Sequence, residues 1–501
     1  MAASIVAGAQ TSPWESEVVY QIFPRSFADS NGDHIGDFRG ISNKLGYLQE
    51  LGVTALLINP IQASRFYHNY FADDFYRTDP TLGTNADFFR MVLQAHSRHM
   101  KVILDMEVQY IADKHPWFKD FERDPNSRYK ELIWREGSAL FGAKLPTYDG
   151  RKIGYATLNP SSTQLRDEIS NVFRYWAAPD GNPAHGVDGF RIDHMMDDLD
   201  GQHVKTGMLE NFWSPIEASV RRLTPQAFFV GEQADWGQGR DLYQKGHVDS
   251  VYAMSLWYAW STLDAAKIEK ALNNLSKSTP GGKTQFLFIE NHDVKRYASL
   301  VHRDPALLRL GAAMEFTAKG TPMIYYGQEL GMAGIQGSWK SDANDIPVRL
   351  AFRWTRKVGG KESADFYRNS GPWDSKEFTR DNDGVSLEEE AQDPNSLFYL
   401  YKRLIRLRRM TPALRQGTQF PFPTLNPDVV GYVRAEGRQQ VLVLLNLSNR
   451  AQPMPLPLDL VGLTDLLTGK RVRPEKHFLK PHGFSILQFS RTSALGKAGK
   501  T

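Results

Sequence analysis

The chain has no cysteine in 501 residues, which excludes disulfides, thiolate metal sites and a cysteine nucleophile. It also has no excess of one charge: 60 basic against 57 acidic side chains leave a formal +3, without a run of five or six like charges. Nucleic acid is therefore not an expected partner. No stretch reaches 18 apolar residues, so no membrane span is expected. The N-terminus MAASIVAGAQTSPW has no basic region and only a weak apolar run, unlike a secretory leader; with the missing thiols it leads us to expect a cytoplasmic protein. No glycine fingerprint follows a strand and opens a helix, which disfavours a nicotinamide fold. Neither a phosphate nest nor a strand-end Schiff-base lysine stands out, so an aldolase-like barrel is disfavoured too.

What is present is a recurring unit. Short apolar runs, each followed by a helical segment, lie at 18–23, 53–60, 101–108, 187–193, 227–233, 248–256, 285–293 and 320–329. Such an alternation suits a closed parallel (β/α)8 TIM barrel, an α/β fold, in which polar residues gather at the strand ends. Those rim residues are Asn59, Asp105, Gln109, Asp193, Glu232, Asp293 and Glu329. The third run and its exit, VILDMEVQY at 102–110, deliver two carboxylates, an amide and a phenol. The spacing breaks once, after this strand, where a polar, irregular stretch predicts an excursion domain on the rim. We place the barrel at 1–105 and 187–415, the excursion domain at 106–186 and a C-terminal all-β sandwich domain at 416–495. The helix NSLFYLYKRLIRLRRMTPAL (395–414) closes the barrel, with leucines at helical spacing.

Three strand ends present acids: Asp193 in GVDGFRIDHMMDDLD, Glu232 in FFVGEQADW and Asp293 in FLFIENHDVKR. An ionisable group at the end of an apolar strand is costly to desolvate without partners. A purely structural reading pairs Arg191 with Asp193 and Asp293 with Arg296 and lets Glu232 cap a helix. The chemical reading is glycosidic bond cleavage with retention, which needs a nucleophilic carboxylate and an acid about 5–5.5 Å apart. Arg191, on the same strand face as Asp193, would keep it ionised, and Glu232 with a raised pKa would act as acid and then base.

From VVYQIFPRSFADSNGD through GFRID, the GE strand end, NHDVKR and YYGQELGM to DPNSLFYLYKRLIRLRRMTPAL, the chain resembles the α-amylase superfamily of retaining α-glucoside enzymes, and within it the oligosaccharide-acting cyclomaltodextrinase, neopullulanase and α-glucosidase-like branches. The resemblance implies Asp193 as nucleophile, Glu232 as general acid/base and Asp293 as the third carboxylate gripping the reacting sugar. It implies a sugar-binding set of Arg191, His292 and the stacking Tyr70, completed by Asp105, Gln109, Tyr110 and Arg296. Where the family pattern ends its third strand in Asn-His, this chain has Gln109 and Tyr110.

A second constellation is DSNGDHIGD, 29–37. Asp29, Asn31, Asp33 and Asp37 bunch oxygen ligands in a glycine-containing turn, as a hard cation wants. The motif resembles the family's calcium or magnesium loop, in which the Ile35 carbonyl also contributes, so a structural Ca2+, with Mg2+ as the other candidate, is expected there. Met196 and Asp197 stand where starch-degrading amylases carry a Lys-His pair. The expected substrate is therefore a malto-oligosaccharide or related small α-glucan, hydrolysed at α-1,4 bonds; transfer of the glucosyl group to another sugar, or its isomerisation, is the alternative through the same covalent intermediate. A homodimer is compatible with the family.

Overall fold

The computed structural model describes residues 11–124, 126–134, 142–199, 205–232 and 238–491. Its centre is a closed parallel barrel of eight strands: β1 (Val19–Ile22), β2 (Ala55–Ile58), β3 (Lys101–Met106), β4 (Gly189–Ile192), β5 (Phe228–Gly231), β6 (Ser250–Tyr252), β7 (Thr284–Leu287) and β8 (Thr321–Tyr325). Each pairs with the next, and β8 closes on β1 through Val19 beside Met323. The runs seen in the sequence are all there, but several strands are shorter. The end of the third run leaves the barrel after Met106, and the sixth breaks at Ala253 into the helix Met254–Thr262.

The strands alternate between two cores, as a period of two requires. Val19, Ala55, Leu57, Ile103, Val230, Phe286 and Met323 point inward and fill the barrel, with the Trp14 ring stacked on Phe228 at 3.9 Å between centroids near its floor. Tyr20, Leu56, Val102, Leu104, Phe190 and Ile324 point outward against the helices. Local signals set the helix ends. Asp37 accepts the Gly40 N–H at 2.7 Å to start the helix Phe38–Leu51, and Gly52, at φ 102°, ends it in a left-handed turn.

Between β3 and β4 a three-stranded antiparallel sheet, Tyr110–Ala112, Lys152–Thr157 and Ala143–Pro146, stands over the barrel mouth with the helix Pro116–Arg123. After β8 a long irregular stretch returns to the same mouth before the closing helix, Leu397–Met410. Beyond it a five-stranded antiparallel sheet (Thr418–Pro421, Val429–Glu436, Gln439–Asn446, Phe484–Arg491, Leu460–Asp465 in spatial order) and a two-stranded sheet share their own apolar core. The closing helix and this sheet are bolted to the barrel underside by two buried arginines. Arg408 donates to the carbonyls of Phe316, Ala318 and Gly320, and Arg434 to those of Thr317 and Gly417, where the helix Pro305–Thr317 leaves its last carbonyls open. Among the described residues no helix is long and apolar enough to cross a membrane.

Candidate active site

The polar strand ends meet in a cleft of about 680 Å3 at the C-terminal mouth of the barrel. Its floor is organised by Arg191, fully buried on β4, which faces three carboxylates: Asp105 Oδ1 at 2.8 Å, Glu232 Oε1 at 2.7 Å, and Asp193 in a close ion pair. One guanidinium thus gathers acids from the ends of β3, β4 and β5. Asp105 lies below the cleft. Its second oxygen accepts from Asn59 Nδ2 and from the Tyr70 hydroxyl, each at 2.9 Å, so it supports the site from within.

The far side is built around His292 and Asp293. Gln21 Nε2 lies 2.8 Å from His292 Nδ1, and His292 Nε2 faces Asp293 Oδ2 at 3.0 Å and the Tyr70 hydroxyl. The Tyr70 and His292 rings lie 5.7 Å apart and nearly parallel. Asp293 is held in turn by Arg349, whose Nη2 lies 2.8 Å from Oδ1, while Arg349 Nε donates to the His292 carbonyl. The Asp293 carboxylate stays 40% exposed, open to the cleft.

These surroundings push the acids apart. At Glu232 burial outweighs the Arg191 charge, and the neighbouring Asp193 adds to it, so its pKa rises to about 7. Burial is the largest influence on Asp193 and pushes it up, but Arg191, His194 and Glu107 together outweigh it and the carboxyl titrates below its usual range. Asp293 is held well below the usual range, His292 and Arg349 overcoming its burial. An ionised carboxylate beside an acid that keeps its proton near neutrality is the pair that a double displacement at a sugar carbon needs.

Other expected residues sit differently. Arg296 is buried at 1% exposure, paired with Glu290 at 2.8 Å and donating to the Tyr326 and Val348 carbonyls; it does not line the cleft. The sugar-side place expected for it is taken by Arg349. Gln109 turns its amide to the His194 carbonyl, at 2.9 Å, and is likewise not on the wall. Tyr110 is on the wall. Its ring packs edge-on against Phe71, itself stacked on Tyr155, so the excursion sheet presents an aromatic face to the cleft. Glu329 lies beneath the rim, fully buried, accepting the hydroxyls of Tyr20 and Tyr47.

Reading the sequence passed over Arg349, which hides in an irregular loop, and His68, which stands in the tyrosine-rich stretch before Tyr70. His68 accepts the Tyr70 N–H on Nδ1, and burial, with Arg349 second, takes its pKa down to about 3, so a neutral ring carries its proton on Nε2 at the cleft wall. The oxygens of the 29–37 loop are already working as acceptors. Asp29 takes the N–H groups of Asn31, Gly32 and His34, Asp33 that of Ile35, and Asp37 those of Ser30 and Gly40. Among the described residues, acids and histidine come close enough to share an ion at Glu107, Asp193 and His194, with ligand atoms within 4.8 Å. Asp193 there is already occupied by Arg191.

Residues 21–417 match the family model of the alpha-amylase catalytic domain. The chain belongs to that family. Alpha-amylase 3 of Dictyoglomus thermophilum is 28% identical over 87% of this chain and 86% of its own. Probable oligo-1,6-glucosidase 3 of Bacillus subtilis is 27% identical over 94% of this chain and 98% of its own. Among solved structures, the alpha-amylase from H. orenii superposes with a TM-score of 0.77 at 25% identity, over 95% of this chain and all of the other. A trehalulose synthase variant shares the fold with a TM-score of 0.78 at 22% identity, over 95% and 100%. The protein is accordingly an enzyme of the α-amylase superfamily, working on glycosidic bonds by the family's retaining mechanism of hydrolysis or transglycosylation.

Proposed function

We propose that the enzyme takes short α-glucosides, 1,6-linked ones among them, and passes their glucosyl group through a covalent ester on Asp193 to water or to a sugar hydroxyl. Asp193 is the nucleophile, Glu232 the acid and then the base, and Asp293, Tyr70 and His292 grip the ring that reacts. The expectation of α-1,4 cleavage in malto-oligosaccharides does not stand as the main reading, because full-length relatives are named for 1,6-bonds. The observation that carries the proposal is the match to an oligo-1,6-glucosidase over 94% of this chain and 98% of that one. The aromatic wall of Phe71, Tyr110 and Tyr155 suits the apolar faces of short saccharides.

Chromatography of early products tests the reading. Incubated separately with isomaltose, maltose and sucrose, the enzyme is expected to release glucose from isomaltose faster than from maltose, and to form relinked disaccharides at high sugar concentration. Release from maltose alone, with isomaltose untouched, would return the α-1,4 reading to first place.

We also place a structural Ca2+ in the 29–37 loop. Its donors, the carboxylates of Asp29, Asp33 and Asp37, the Asn31 amide and the Ile35 carbonyl, are all oxygen, the chemistry a hard dication prefers. Asp29 Oδ1 and Asp37 Oδ2 each accept two hydrogen bonds, whereas Asp29 Oδ2, Asp37 Oδ1 and both Asp33 oxygens accept one and keep a second lone pair. Bound there, the ion would tie the start of the helix Phe38–Leu51 to the β1 exit and take no part in the reaction.

A further inference from the structure

Glu107, one residue beyond β3, is an acid in the cleft to which the mechanism above gives no task. It is 4% exposed, lines the cleft, and brings an oxygen within 4.8 Å of both an Asp193 oxygen and a His194 ring nitrogen. Its position is fixed from the backbone side. The Gln109 N–H donates to Glu107 Oε1, and the Gln109 amide reaches the His194 carbonyl, so the exits of β3 and β4 are laced together here. His194 is in the left-handed region at φ 44° and donates its own N–H to Glu232 Oε2 at 3.1 Å. The lacing therefore runs from Glu107 past the nucleophile to the acid/base.

Glu107 and Asp193 are both buried, and an oxygen of each lies within 4.8 Å of the other. Two ionised carboxylates held so close repel, which favours one proton between them. Asp193 has the ion pair with Arg191, so the negative charge stays there and the proton falls to Glu107.

We propose that Glu107 is a positioning residue that keeps its proton and donates a hydrogen bond to Asp193, fixing the nucleophile jointly with Arg191. This rests on Asp193 forming the glucosyl ester. In the first half-reaction an Asp193 oxygen bonds to the anomeric carbon, the bond to the leaving oxygen breaks, and the Glu232 proton moves to that oxygen. In the second, the incoming hydroxyl oxygen bonds to the same carbon, its proton passes to Glu232, and the ester bond breaks with its electron pair returning to Asp193. Glu107 keeps its proton throughout. Its hydrogen bond strengthens as negative charge returns to Asp193, so the second half-reaction depends on it most.

The test uses Glu107→Gln and Glu107→Leu with 4-nitrophenyl α-glucoside, in stopped flow and at steady state. Glutamine keeps a donor and is expected to hold kcat within about fivefold of wild type. Leucine removes it: kcat should fall about 10- to 100-fold, KM should fall with it, and a nitrophenol burst should appear as the ester accumulates. Wild-type kcat in the leucine variant, a loss without burst or KM change, or equal losses in both variants would overturn the proposal. If the leucine variant does not fold, a hundredfold loss in the glutamine variant overturns it and near-normal turnover supports it. Wild-type enzyme treated with a fluorinated glucosyl fluoride provides the separate check. An adduct on Asp193 upholds the underlying mechanism whatever the variants do, whereas an active enzyme that forms none overturns the mechanism and this proposal with it.

Discussion

Glu232 carries the clearest prediction at the scale of single residues. Its acid form is needed in the first half-reaction, and its pKa of about 7 means that kcat/KM falls as pH rises through neutrality. The acid limb is set by Asp193 and lies below the usual carboxylate range. A pH–rate profile on an unactivated disaccharide checks both limbs. In Glu232→Gln the alkaline limb should vanish, and activity on nitrophenyl glucosides should survive far better than on disaccharides. The two arginines of the neighbourhood should part company. Arg349→Ala removes the partner of Asp293 and is expected to cut kcat/KM by on the order of 100-fold with a modest change in melting temperature. Arg296→Ala breaks a fully buried pair with Glu290 and should cost about 3–5 kcal/mol of stability. Denaturant titrations and steady-state kinetics on both variants separate the roles. Asp105, Asp193, Glu232 and Asp293 were legible in the sequence because a carboxylate closing an apolar strand has few structural uses. Arg349 was not, because nothing periodic surrounds it and its target is 56 residues away.

Among the elements, the strands were legible because a barrel strand is buried on both sides and so reads as a continuous apolar run. Their ends were not. The run GTPMIYYGQE continues beyond β8 because Gln328 and Glu329 are buried too, each with partners on distant elements: Glu315 and Tyr401 for the glutamine, Tyr20 and Tyr47 on Oε1 of the glutamate. Burial lifts the Glu329 pKa to about 7 against the hydroxyls that lower it. The folded protein then holds a proton that the unfolded chain releases from about 4.5 upward, so this contribution is whole below that value and is lost as pH rises towards 7. Glu329→Gln should flatten the decline of stability across that window, which melting temperatures measured at closely spaced pH values will show. In the same way, the exit VILDMEVQY divides at Met106. Its aspartate serves the cleft floor, its glutamate and glutamine tie two exits together, and its tyrosine opens the excursion sheet.

For the whole molecule, the order of barrel, excursion and terminal β-structure followed from the change of texture along the chain, whereas the way the parts are fastened did not. The 29–37 loop is one such fastening. Its His34 ring reaches Asp365 at 3.0 Å in the long stretch after β8, and its Asp29 N–H donates to the Glu362 carbonyl. If Ca2+ occupies the loop, exhaustive chelation should lower the melting temperature and added Ca2+ should restore it. An unchanged melt would leave the turn held by its hydrogen bonds alone.

The buried arginines at the barrel underside bear on how this enzyme can be rebuilt. A chain cut before the terminal sheet would lose Arg434 and leave the carbonyls of Thr317 and Gly417 facing a gap, with Arg408 alone on that side. The terminal sheet is thus a keystone and not an appendage: a graft from a relative would have to bring a donor of its own to the same two oxygens, since each buried carbonyl left without one costs about 1–3 kcal/mol.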